Sequence, residues 1–169
     1  DGSVQAFSTR IELYKTYGVY TINEKFAKTC RVIYPDHTIV NGPSKFELSQ
    51  SGRYLVYLIR DENNTWDIIV LDSTNCDVRQ LDEHIDVDAY HLSITPDETL
   101  VVFHQRNDRT HNGGGLYVVE IEDPSKYVSL LPSDRSGSGV QTGALRLSPD
   151  STMVVFAAEI MPDTIHLYS

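Results

Sequence analysis

The sequence predicts an all-β chain built from a repeated unit of four antiparallel strands. Three observations predict it. A turn-and-strand pattern recurs three times, a second strand type follows it at matching places, and no stretch of the 169 residues has competing helical periodicity.

The repeat comes first. Leu48 to Tyr57, Ile94 to Phe103 and Leu147 to Phe156 align without gaps, at offsets of 94 − 48 = 46 and 147 − 94 = 53. Each opens on an aliphatic residue and a Ser or Thr, makes a tight turn, and continues as a β-rich run ending in an aromatic. Pro96 and Pro149 set φ at the first corner, and Asp97 and Asp150 suit the second. In the first copy Gln50-Ser51 replaces Pro-Asp, and Gly52 supplies the turn's freedom. The runs that follow, such as Leu100 to Phe103 and Met153 to Phe156, are nearly continuously apolar, as in strands buried on both faces.

A second strand type lies further on, in Gly18 to Ile22, Asp67 to Leu71, Leu116 to Ile121 and Ile165 to Tyr168. Shorter, more polar runs follow two of these, Val78 to Leu81 and Tyr127 to Leu131. Each unit thus reads as strands A, B, C and D, with the A–B turn inside the aligned segment. Small twisted sheets repeated about every fifty residues describe a β-propeller.

Asp1 to Phe7 matches Asp97 to Phe103, so the chain opens inside a blade that lacks its A strand, and it stops in a C strand. The expected units are a partial blade over 1–36, blades over 37–83 and 84–134, and a partial blade over 135–169. A missing A at one end and a missing D at the other cannot fuse into one blade. An open arc exposes apolar faces and strand edges, so the expectation is part of a larger propeller, or a partner chain covering these surfaces. A closed four-bladed ring is the rival.

Composition bounds the function classes. The net charge is −10 and the Lys and Arg are scattered, which disfavours nucleic acid as a partner. No apolar run approaches bilayer-spanning length. There are two cysteines, Cys30 and Cys76, each two residues before a Val at the start of a D strand. Equivalent places in neighbouring blades lie too far apart to bridge. The expectation is that they are not bonded, and a bond would contradict the blade alignment.

Leu147-Ser-Pro-Asp150 with Met153 to Phe156, Ile94-Thr-Pro-Asp97 with Leu100 to Phe103, and Gly115 to Val119 resemble the TolB-type, WD-like propeller repeat over nearly the whole chain. Departures are Gln50-Ser51 and the long insertion Gln105 to Gly114. Trp66-Asp67 begins a strand, so roles typical of WD repeats are not carried onto it. The resemblance implies shape more than task. Such propellers include periplasmic binding scaffolds, the gating propellers of prolyl-oligopeptidase-like serine peptidases, and metal-dependent lyases of acidic sugars. A secreted or periplasmic setting is implied by the resemblance alone.

In such blades the B–C and D–A loops share one face. Here they are Arg60 to Trp66, Gln105 to Gly114 and Ala158 to Thr164, with Pro35 to Lys45, Asp82 to Ala89 and Pro132 to Gly143. Varied loops on a rigid scaffold make this the expected ligand face, with Arg60, Trp66, His104, Arg106, Arg109 and His111 as candidate contacts. His104 and His111 flank a polar stretch that also reads as solvated loop. Asp82 to Asp88 holds four carboxylates. Asp86 and Asp88 could offer two oxygens to calcium or another divalent metal, although the helix-loop-helix calcium spacing is missing and a solvated acidic loop explains the run. No cofactor is otherwise expected.

Gly113 to Gly115 runs into a strand, whereas a phosphate loop runs into a helix. Asn63-Asn64-Thr65 matches a glycosylation acceptor. No Gly-x-Ser-x-Gly elbow is present. The leading expectation is a non-catalytic module that binds a protein, another ligand or the remaining blades. The alternative is the propeller portion of an enzyme.

Overall fold

A computed structural model describes residues 4–11, 16–23, 28–34, 39–61, 66–82, 88–106, 115–130, 145–161 and 164–168. Among them every regular element is a strand, and the strands form four antiparallel sheets. The first sheet holds β1 (Val4–Ile11), β2 (Thr16–Asn23) and β3 (Lys28–Tyr34). The second holds β4 (Ile39–Leu48), β5 (Tyr54–Asp61), β6 (Trp66–Asp72) and β7 (Asp77–Gln80). The third holds β8 (Asp88–Ile94), β9 (Leu100–Arg106), β10 (Leu116–Glu120) and β11 (Tyr127–Ser129). The fourth holds β12 (Arg146–Leu147), β13 (Val154–Met161) and β14 (Thr164–Tyr168). Within each sheet the strands lie in chain order, as successive hairpins require.

The repeated segments form three superimposable A–B hairpins. The amides of Gly52, Glu98 and Ser151 donate to the carbonyls of Ser49, Thr95 and Ser148 at 2.9, 2.8 and 3.0 Å. The hydroxyls of Ser49, Thr95 and Ser148 accept the amides of Tyr54, Leu100 and Met153 at 3.0, 3.0 and 2.9 Å. The Thr95 and Ser148 hydroxyls donate to Asp97 and Asp150 at 2.6 and 2.5 Å. These bonds explain why Ser or Thr precedes Pro-Asp: its hydroxyl locks both ends of the turn. Ser51 does the work of Asp in the first copy, accepting the Arg53 amide at 3.1 Å. The next position is left-handed in all three, with φ of 76° at Gly52, 61° at Glu98 and 60° at Ser151.

Apolar residues alternate to the two faces of the central strands, and each face meets a neighbouring sheet. Tyr54, Val56, Leu58, Ile68 and Val70 pack on Val101, Phe103, Val119 and Ile121 between the second and third sheets. Leu55, Tyr57, Ile69 and Leu71 face the first sheet around Cys30. Val102 and Leu116 face Phe156 of the fourth. Burial on both faces makes β5 read as an unbroken apolar run.

Two expectations need correction. Strand β4 begins at Ile39, inside the segment expected as loop, and keeps pairing with β5 through register shifts between Ile39 and Glu47. Bulges of this kind hide a strand from sequence periodicity.

The second correction concerns the cysteines. Cys30 and Cys76 are disulfide-bonded, with Cα atoms 5.3 Å apart. The sequence alignment of their D strands therefore fails. Phe7 pairs with Tyr20 and Tyr57 with Ile69, which makes Tyr20 and Ile69 equivalent; opposite them stand Arg31 and Gln80. Cys30 is therefore the counterpart of Arg79, three residues beyond Cys76 (79 − 76 = 3). That offset places Cys30 within β3 and Cys76 in the turn before β7, where one sheet overlies the next.

Candidate functional site

Hairpin order sorts the strand ends onto two faces. The A–B and C–D turns lie on one, and the ends carrying the B–C and D–A connections lie on the other. On the latter, Arg60 and Trp66 are not loop residues: Arg60 is the last residue but one of β5 and Trp66 opens β6, as direct cross-strand partners. The Arg60 guanidinium lies 5.6 Å from the Trp66 ring centroid, a cation–π arrangement. Both are half-buried, and Trp66 leans on the core between the second and third sheets.

Asp67 and Asp82 flank this pair. Asp82 is only 4% exposed, so it is not the solvated residue expected of an acidic loop. Its carboxylate accepts the Ile68 amide at 3.1 Å, closing the upper end of the β6–β7 ladder. Burial, then the charge of Asp67, pushes its pKa from 3.8 up to about 7 against hydrogen bonds from Gln80 and Ile68. Asp82 directly follows Leu81, which is fully buried, and shares its burial.

On the neighbouring blade, His104 lies within β9 opposite Leu116 and His91, and is 5% exposed. Burial, then the cation of Lys45, lowers the pKa of His91. Arg106 pairs with Asp88 where β8 and β9 meet, which places Asp88 in a strand as well. Asp86, Arg109 and His111 lie outside the described residues, as do Asn63 to Thr65 and Gly113 to Gly114. Among the described residues, no three His, Cys, Asp or Glu side chains stand together as metal ligands. Nor does any helix there have the length and apolarity to cross a membrane.

The turn face carries a charge network that sequence reasoning missed. Arg53 donates to Asp72 at 2.9 and 3.0 Å and to Glu122 at 3.1 Å. Arg79 donates to the Ile121 carbonyl at 3.0 Å and to Glu122 at 3.1 Å, and the Tyr54 hydroxyl donates to Glu122. Hydrogen bonds from Tyr54 and Arg79, with both guanidinium charges, hold Glu122 below its usual range. A cleft of about 500 Å³ opens here between the second and third sheets, lined by Arg53, Tyr54, Glu98, Glu120 and Glu122 among others. Other groups of the cleft also have partners: Glu98 accepts from the Ser51 hydroxyl, and Lys126 pairs with Glu120. No spacing in the sequence announces the network, because the counterparts of Arg53 in the other turns are Thr99 and Thr152.

Neither the family models nor the curated proteins compared give a match. Solved structures do. The chain is similar to tricorn protease (TM-score 0.64, 10% identity, 92% of this chain and 14% of that one). It is similar to TolB from Acinetobacter baumannii (TM-score 0.55, 13% identity, 98% and 40%). It is also similar to an oligogalacturonate lyase in complex with manganese (TM-score 0.56, 18% identity, 90% and 44%). At these identities the likeness shows the fold, that of β-propeller blades of the TolB-like kind. The chain spans less than half the length of each of these three structures.

Proposed function

We propose that this chain is a non-catalytic propeller module that binds a protein or other ligand on its B–C and D–A face, with Arg60 and Trp66 central to the contact. Its blades are 1–36, 37–83, 84–134 and 135–169. The stacked, half-buried Arg60–Trp66 pair carries the reading. Arg and Trp dominate binding energy at protein interfaces, and here a rigid hairpin base presents both together. On the next blade Arg106 ends β9 at the same side, the sequence puts Arg109 and His111 in the connection that follows, and His104 is buried within the strand. The opposite face, by contrast, directs its charges at one another.

Affinity capture with the immobilised chain, followed by titration of the recovered partner, tests this. Trp66→Ala and Arg60→Ala should each weaken binding by about thirtyfold or more, the effect of a hot-spot residue. Undiminished binding by both variants, with loss on Glu122→Ala, would move the contact to the turn face.

A second reading, the propeller part of an enzyme, draws on the protease and lyase among the structural neighbours. A catalytic hydrolase domain encoded in the same reading frame would favour the gating form of that reading. Stoichiometric metal in purified protein would favour the lyase form.

A further inference from the structure

We infer that the Cys30–Cys76 disulfide is a lasting staple between the first two sheets, made in an oxidising compartment, and not an exchangeable redox switch. This stands independently of the binding role above.

These are the two cysteines of the chain, and the bond leaves neither free. It ties β3 to the turn before β7 across 46 residues of sequence. Its formation takes two protons and two electrons from the thiols. The electrons pass to a disulfide oxidant, which leaves as its dithiol. Reducing cytosolic thiol pools run that exchange backwards, whereas oxidising compartments maintain it.

The environment of each sulfur decides how readily the bond reopens. Cys30 is 1% exposed and packed among Leu55, Tyr57, Ile59 and Leu71. Cys76 is half-exposed in the turn. A reducing thiolate in solvent therefore meets the Cys76 sulfur. Attack there must expel Cys30 as a thiolate into an apolar cluster. Such surroundings raise a thiol pKa, and a high-pKa thiolate is a poor leaving group. Attack on Cys30 requires the cluster to open first. Either way, the packing of the first sheet against the second slows reduction. Cys76 also holds φ at 64°, a left-handed conformation that favours Gly or Asn.

Three measurements on the full chain test this. Thiol alkylation in urea without reductant should label neither cysteine in protein from an oxidising compartment and both in protein from a reducing cytosol. Dithiothreitol should reduce the native protein about a hundredfold more slowly than the urea-unfolded protein. After reduction, hydrogen exchange should show β1–β3 amides losing about a thousandfold in protection while β8–β11 keep theirs, the scale set by a cross-link closing a loop of this length. The Cys30→Ser/Cys76→Ser variant should repeat that pattern, and reduced wild type gives the same readout if the variant does not fold. Labelled thiols in the oxidised preparation, equal reduction rates in native and unfolded protein, or a loss of protection that is absent or spread over all four sheets would each overturn the inference.

Discussion

At the scale of single residues, Asp82 has the clearest consequence for stability. Its folded pKa of about 7 lies above the 3.8 of an unperturbed aspartate. The folded state therefore holds a proton that the unfolded chain releases above pH 4. The resulting contribution to stability is full below about pH 4, falls as pH rises toward 7, and is flat beyond. Urea unfolding at pH 4 and pH 8 should show wild type losing stability relative to Asp82→Asn, by on the order of 3 kcal/mol between the two conditions. A constant difference would mean that Asp82 is ionised in the folded state throughout. Asp150 behaves in the opposite way: hydrogen bonds from Ser148 and Thr152 hold it down to about 2, ionised at any ordinary pH.

At the scale of elements, the A–B hairpin is the unit that repeats, and its hydroxyl is its lock. Thr95 is 3% exposed; it accepts the Leu100 amide and donates to Asp97. Thr95→Val keeps shape and leaves the part-buried Leu100 amide without this acceptor. It should cost about 1–2 kcal/mol in urea unfolding. The hairpins also clasp one another. The Ser51 hydroxyl donates to Glu98 at 2.6 Å, and the Ser151 hydroxyl accepts the Asp97 amide at 3.0 Å. Turn-to-turn bonds thus join the second sheet to the third and the third to the fourth. The pattern was readable because local hydrogen bonding dictates which residue stands where.

At the scale of the whole molecule, stability lies between the sheets. Phe103 is fully buried, stacks on Tyr117 with ring centroids 5.5 Å apart, and faces the second sheet. Phe103→Ala should cost about 3–5 kcal/mol, from lost transfer energy and the cavity left behind. Calorimetry checks it through the lowered unfolding temperature. Polar clasps reinforce the same joint. Glu47 accepts from the Ser93 hydroxyl at 2.9 Å and the Ile94 amide at 3.0 Å, and Arg79 reaches the Ile121 carbonyl.

Most of the strands, their order and the A–B turn of the three aligned segments follow from the sequence by itself; the bulged first half of β4 does not. Alternation, β-branched runs and the Ser/Thr-Pro-Asp turn act within a few residues, so they leave a readable pattern. The loop face, with Arg60 and Trp66 beside a short connection, is the candidate site that the sequence proposes, because the connections between strands are also written locally. The tertiary structure alone decided three things: that Cys30 reaches Cys76, that Asp82 is buried, and that Arg53, Arg79 and Tyr54 converge on Glu122. Each depends on how one sheet lies against the next. That offset is set by side-chain packing across the whole interface, and no local run of residues encodes it.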